Sequence, residues 1–208
     1  MKKLAILALA GLSLSLAAGA RAEAIGSVER LQNEAFADLD GTSRALAPAA
    51  ALHFDEVLRT GPAARLEAVL IDDTRITLGE SAMLHIDDFV FTPGTTGGSL
   101  ALRVAEGAFL FVGGQVEGPG GGDVSITTPV ATLGIRGTTV WGGPLDGGYG
   151  VIVLEGEVSV TTEAGSVLLT PGLGTMIMGS AETVPESPAP WADDRLGRAV
   201  ASVSFDAD

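Results

Sequence analysis

Arg136 is the residue whose type and setting first raise the question of chemistry. It stands in Thr128-Pro129-Val130-Ala131-Thr132-Leu133-Gly134-Ile135-Arg136-Gly137-Thr138-Thr139-Val140, a run that is otherwise apolar or hydroxylated. Gly134 and Gly137 give the backbone freedom on either side of Ile135-Arg136, as a bend or bulge in a strand requires. A guanidinium inside a protein needs a carboxylate partner. Asp72 and Asp73, at the head of another motif, are the natural candidates. The expectation is a structural ion pair pinning two strand ends; the alternative is an exposed arginine that recognises a partner, with Thr138 beside it.

The remaining candidates are thinner. Asp72-Asp73, Asp87-Asp88 and Asp193-Asp194 invite a calcium reading, but calcium takes six or more oxygens from one compact loop. None of the three sits in such a loop, and Asp72-Asp73-Thr74 reads better as a hairpin turn. His53 and His85 are isolated and cysteine is absent, so a zinc or copper site is not expected. No G-x-S-x-G elbow occurs and no catalytic trio or carboxylate pair can be nominated from spacing. The expectation is a protein without enzymatic activity and without cofactor or metal. Phe89, Phe91, Phe109 and Phe111 form two F-x-F pairs expected to face each other across the core. Trp141 and Tyr149, in a glycine-rich connection, are the candidates for exposed aromatics.

The elements that must position these residues are strands. Leu66, Ala68 and Leu70 alternate with polar neighbours, as do Ala82, Leu84 and Ile86, and Leu100, Leu102 and Val104; period-2 alternation marks half-buried strands. Val151-Ile152-Val153-Leu154 and Val167-Leu168-Leu169 lack alternation and read as strands covered on both faces. Turn signals recur every 8–12 residues. The expectation is an all-β domain over residues 23–180, either a β-solenoid-like roll or a two-sheet sandwich. Gly113–Asp123 reads as a flexible connector without the lysine of a phosphate loop, and Trp141–Gly150 as a wide hairpin connection. Ser43–Leu52, rich in alanine, has a composition compatible with a short helix. Three prolines make 181–190 a linker, and 191–208 a tail able to form a helical turn or two that dock through Trp191 and Leu196.

Residues 1–22 have the pattern of a signal peptide: Met1-Lys2-Lys3, an apolar run, and Ala20-Arg21-Ala22 as cleavage site. That run is shorter than the ~20 residues of a membrane-spanning helix. The expected product starts at Glu23 and is periplasmic or secreted, with no membrane insertion. Without Lys2, Lys3 and Arg21, 9 basic residues face 26 acidic ones, a net charge of −17. Such a surface repels nucleic acid.

Several motifs occur in a telling order: Asp55-Glu56-Val57-Leu58-Arg59-Thr60-Gly61, Leu70-Ile71-Asp72-Asp73-Thr74-Arg75-Ile76-Thr77-Leu78-Gly79, Asp87-Asp88-Phe89-Val90-Phe91-Thr92-Pro93, Gly107-Ala108-Phe109-Leu110-Phe111, and the Arg136 run. Together they resemble the FecR domain, most closely over residues 53–140. The resemblance implies a periplasmic β-rich module that contacts other proteins in a sensing system. In the family's best-known architecture a cytoplasmic anti-sigma segment and a membrane helix precede this domain, and this chain departs from that pattern. The expectation is an exported sensory or adaptor module with an envelope protein as partner; the alternative is a structural, glycan-binding or adhesive β-domain.

Overall fold

The computed structural model describes residues 23–95, 97–118 and 121–206; the segment read as a signal peptide lies outside them. The strands are β1 (Ala24–Gln32), β2 (Ala35–Leu39), β3 (Thr42–Ala45), β4 (Ala51–His53), β5 (Val57–Thr60), β6 (Arg65–Leu70), β7 (Arg75–Leu78) and β8 (Met83–Val90). They continue as β9 (Ser99–Glu106), β10 (Phe109–Val112), β11 (Asp123–Thr127), β12 (Thr132–Leu145), β13 (Gly148–Thr161), β14 (Ser166–Leu169), β15 (Leu173–Ile177) and β16 (Ala189–Pro190). One helix, α1 (Asp193–Ala201), follows. With 55% of residues in strands and 7% in helix, the domain is all-β.

Hydrogen bonding joins the strands into one strongly curled sheet. The hairpin β12–β13 makes the curl. The first part of β12 pairs with β11 and its last part with β10, while β13 runs beside it throughout. On the far side, β13 pairs with β15 along its first part and β14 along its last. Two half-sheets therefore share one long hairpin, and the chain passes repeatedly between them. Pairing is antiparallel except for β9 with β11, so the domain is a curled roll rather than a stack of parallel coils.

The curl encloses one core. Leu58, Leu84, Leu102, Ile126 and Leu133 from one half meet Val28, Leu66, Ile76, Phe111 and Val140 from the other, all buried. The alternation in the sequence is what this enclosure demands, since side chains two apart share a face. At Arg136–Thr139 the register of β12 shifts. The inward residues are Leu133 and Ile135 before the shift and Val140 and Gly142 after it, the consequence of one extra residue in a bulge. Opposite the bulge, Gly156 has φ +76, and a Cβ there would lie 2.1 Å from the Gly137 carbonyl oxygen. Only glycine lets the strands approach so closely.

Several sequence expectations are corrected here. Ser43–Leu52 forms no helix: β3 ends in a turn that reverses into β4, with Arg44 held by Glu56 and by the Ala51 carbonyl. Trp141–Gly150 is no wide connection, because both strands run on to a two-residue turn at Asp146-Gly147, whose φ values of 51 and 79 fit a hairpin turn. Residues 181–190 are not a free linker. The Ala181 carbonyl accepts from the Glu163 N–H, Glu186 bonds Met176 and Thr175, and β16 pairs with β15. Of Val151–Leu154, the first three are buried on both faces, as read, but Leu154 is exposed, and so is Leu168, because β14 lies at an edge.

A second, smaller apolar cluster lies on the outer side of β12 and β13. Trp141, Ile152 and Ala108 meet Ala199 and Val203, with Leu110, Leu145, Trp191 and Leu196 around them. The bulge explains the placement: by reversing the alternation it turns Trp141 outward, where α1 covers it.

Candidate functional site

The bend at Arg136 is held from below by a chain of buried and half-buried polar groups. Asp72 is fully buried in the turn between β6 and β7, where its carboxylate accepts from the Thr74 N–H at 3.1 Å and the Thr74 hydroxyl at 2.7 Å. It also accepts from the Val116 N–H at 3.2 Å, and its own carbonyl accepts from the Gln115 N–H at 2.7 Å. Asp72 thus fixes a short 3₁₀ turn, Gln115–Glu117, whose Val116 is buried. Gln115 Nε2 donates to Asp73 at 2.7 Å. From this turn Glu117 reaches the bend, accepting from the Gly137 N–H at 2.7 Å and from the Thr138 N–H at 3.5 Å. Thr138, buried, takes the Arg136 N–H on its hydroxyl at 3.0 Å and donates to the Glu157 carbonyl at 3.3 Å.

Glycine is required where these pieces touch. A Cβ on Gly113 would lie 1.5 Å from Glu117 Oε2, and one on Gly114 would lie 2.4 Å from both the Asp72 carbonyl oxygen and the Thr74 nitrogen. The glycine-rich stretch read as a flexible connector is therefore a fitted plug, at least through Glu117.

Desolvation raises the Glu117 pKa above its ordinary value, and the nearby Asp72 charge adds to the rise, against the lowering by the Gly137 and Thr138 N–H groups. The sign follows from linkage: a carboxyl whose folded pKa is raised stabilises the fold when protonated, and that contribution is lost as pH rises through the folded pKa. Between about pH 4 and pH 7, Glu117→Gln is therefore expected to gain melting temperature relative to the native chain as pH increases. Thermal melts across that range check it; a pH-independent difference would mean that Glu117 titrates alike in both states.

Arg136 itself is exposed, and the expected ion pair with Asp72 or Asp73 does not form. The physical reason is alternation: Ile135 points inward, so Arg136 beside it points outward, while Asp72 is consumed by Thr74 and Val116 underneath. Among the described residues the Arg136 guanidinium has no hydrogen bond or ion pair, whereas the other arginines hold a carboxylate, a carbonyl or an aromatic ring. Glu157 is its cross-strand neighbour. Around it lies an open depression of about 380 Å³ bordered by Asp123, Ser125, Gly134, Ser159 and Leu168. A second depression, of about 450 Å³, adjoins it on the Glu117 side.

The candidate exposed aromatics are also corrected. Trp141 is 1% exposed and Tyr149 7%, because the hairpin runs past them as full strand. Trp141 Nε1 donates to Ser202 Oγ at 3.1 Å, and its ring meets Trp191 edge-on with centroids 5.9 Å apart. Burial pushes the Tyr149 hydroxyl pKa well up; Thr128 lies near it, but no partner in hydrogen-bonding geometry is present among the described residues. Phe109 and Phe111 are core, while Phe89 and Phe91 pack partly buried against it, with ring centroids 6.4 Å apart.

Two carboxylates with structural partners escaped sequence reading. Glu117 hid in a glycine-rich stretch, where the one signal was an apolar-acidic pair, Val116-Glu117, between glycines. Glu56 is buried, with Arg44 Nη2 at 2.7 and 2.9 Å from its two oxygens and the His53 N–H at 3.0 Å; nothing in its spacing from Arg44 announces the pair. The described residues contain no group of three His, Cys, Asp or Glu able to hold a metal ion, and no helix among them is long and apolar enough to cross a membrane.

Residues 56–159 match the profile of the family described as FecR protein, and the chain belongs to that family. No curated protein matches the sequence. Two crystal structures, at 1.65 and 2.50 Å resolution, of a protein from Parabacteroides distasonis described as a "putative anti-sigma factor" share the fold, each with a TM-score of 0.52 at 13% identity. The similarity covers 68% of this chain and 62% of that protein, so this chain spans a little under two thirds of its length. Membership of the FecR family marks a signalling or regulatory component.

Proposed function

We propose that this chain is an exported, non-enzymatic FecR module that binds another envelope protein as a sensory or adaptor component, with the Arg136 bend as its contact. One observation carries the reading. Asp72, Glu117 and Thr138, polar groups that are costly to bury, are all spent on fixing the backbone of an arginine that does nothing for the core. The pattern at residues 1–22 supports export, and the acidic surface supports a protein rather than nucleic acid as partner. A glycan platform loses its support with the burial of Trp141 and Tyr149.

The test is photo-crosslinking in living cells from a reactive residue placed at Leu168, on the rim of the depression. The expected product is a single adduct whose FecR component begins at Glu23 and whose other component is one envelope protein, identified by mass spectrometry. Arg136→Glu is expected to abolish the adduct while leaving the melting temperature unchanged, since exposed substitutions typically move stability by no more than about 0.5 kcal/mol. An adduct that survives Arg136→Glu would overturn the assignment of the contact, and a FecR component retaining Met1 would overturn export.

A further inference from the structure

Four strands pair on one side only: β3, β4, β14 and β16. Three of these edges are guarded. Arg44 stands on β3 and donates to the Ala51 carbonyl of β4 at 2.6 Å, and β16 contains Pro190. Charge and proline are the usual protections of an exposed sheet edge. β14, Ser166-Val167-Leu168-Leu169, has neither.

The register shows which backbone groups of β14 are free. The Thr162 N–H donates to the Gly165 carbonyl at 2.9 Å, and bonded and unbonded pairs alternate along an antiparallel hairpin. Val160 with Val167 and Val158 with Leu169 are therefore bonded pairs, while Thr161 with Ser166 and Ser159 with Leu168 are not. The N–H and C=O groups of Ser166 and Leu168 point away from β13, and no other group among the described residues bonds them. Apolar surface lies on both faces of this edge. Leu168 is 53% exposed on the outer face, and Val167, on the inner face, packs against the core only partly buried.

The flanks of the edge are acidic. Glu157 on β13 stands between β14 and Arg136, and Glu163 lies in the turn from β13 to β14. Glu182 belongs to the segment whose Val184 would touch a Cβ on Gly165 at 3.5 Å. All three carboxylates are exposed, and the ion pairs of the described residues lie elsewhere. Two copies meeting edge to edge would bring these carboxylates together on mature chains of net charge −17, and like charges across a contact suppress pairing.

We propose that β14 is a docking edge for an extended cationic segment of a partner protein, which adds to the sheet as one more strand. Its main chain bonds Ser166 and Leu168. Its apolar side chains cover Val167 on the inner face, and its lysine or arginine side chains cross Leu168 on the outer face to reach Glu157 and Glu163. In strand addition the main-chain bonds supply affinity and the alternate side chains supply specificity. The inference rests on the reading of this chain as a partner binder and adds to it the form and charge of the bound segment.

The probe is a short fluorescent peptide alternating lysine and valine, titrated into the purified chain and followed by anisotropy. The native chain is expected to bind it, and to bind the peptide with aspartate in place of lysine at least about tenfold more weakly. In a strand the lysine N–H groups all point to one side and the valine N–H groups to the other. Methylating one set of amide nitrogens should therefore abolish binding, and methylating the other should not. No binding of the parent peptide, or equal binding of the two methylated peptides, would overturn the proposal. Leu168→Pro removes the outward N–H without breaking a bond to β13 and is expected to weaken binding at least about tenfold at unchanged melting temperature; if that variant fails to fold, the methylated peptides on the native chain decide. A Leu168 amide that exchanges slowly with solvent in the free chain would mean that the edge is already closed and would sink the proposal. A dimer of the native chain that Leu168→Pro dissolves would make the occupant a second copy and overturn the assignment to a cationic partner. Absence of peptide binding beside a cellular adduct that Arg136→Glu abolishes would remove the strand site alone, whereas peptide binding beside an adduct that survives Arg136→Glu would remove the Arg136 contact alone.

Discussion

Asp72→Ala is expected to destabilise the protein by about 3 kcal/mol or more, whereas Arg136→Ala changes stability by no more than about 0.5 kcal/mol. Removing the Asp72 carboxylate orphans the Thr74 N–H, the Thr74 hydroxyl and the Val116 N–H, all in a buried setting. Each unsatisfied buried donor costs about 1–3 kcal/mol. The 3₁₀ turn then loses its anchor, and Glu117 with it. Asp73→Asn, exposed and tolerant of the positive φ of 68, is the near-neutral control. Urea unfolding of Asp72→Ala, Arg136→Ala and the double variant decides between the arrangement in the structure and a direct ion pair. With no contact between the two side chains, the effects should add to within about 0.3–0.5 kcal/mol. A coupling well above that would put Arg136 back against Asp72.

The second large effect belongs to Trp141. Trp141→Ala is expected to cost about 3–5 kcal/mol, the range for emptying a buried aromatic site, where an exposed tryptophan would cost almost nothing. The loss has two parts, the cavity itself and the release of α1, since Trp191 and Ser202 both lose their partner. The chain contains just two tryptophans, so near-ultraviolet circular dichroism reports on their edge-on pair directly. Trp141→Phe should retain most of the stability and lose that signal. A melting temperature unchanged in Trp141→Ala would show that the outer cluster contributes nothing to the fold.

Much of the roll was legible because enclosure by a curled sheet imposes simple alternation. Leu66-Ala68-Leu70 and Leu100-Leu102-Val104 carry their burial in their spacing, and Asp72-Asp73-Thr74 carries its turn. What could not be read was the bulge. One inserted residue between Ile135 and Val140 turns Trp141 toward α1, and a compensating extra residue in β13 keeps Tyr149, Val151 and Val153 on the core side. The glycines at 134 and 137 announce a bend at that place but not the side to which each neighbour turns. Glu117 and Glu56 were illegible for a different reason. Their partners come from other strands, Gly137 and Thr138 of β12 for Glu117 and Arg44 of β3 for Glu56, and the penalty for burying a charge is visible only when the third dimension brings the donors in.

The hairpin β12–β13 has a consequence for where this molecule can be divided. Because the chain passes back and forth between the two half-sheets, no continuous stretch of sequence corresponds to either half. The family match stops at residue 159, inside β13, and starts at Glu56, after β1–β4. Yet β1 pairs with β6, β2 pairs with β5, and Arg44 holds the buried Glu56 from outside the matched region. The stretch that recurs across the family is thus narrower than the piece of chain that can stand alone. A fragment trimmed to it would expose a raw sheet edge at each end and leave Glu56 as an uncompensated charge in its interior.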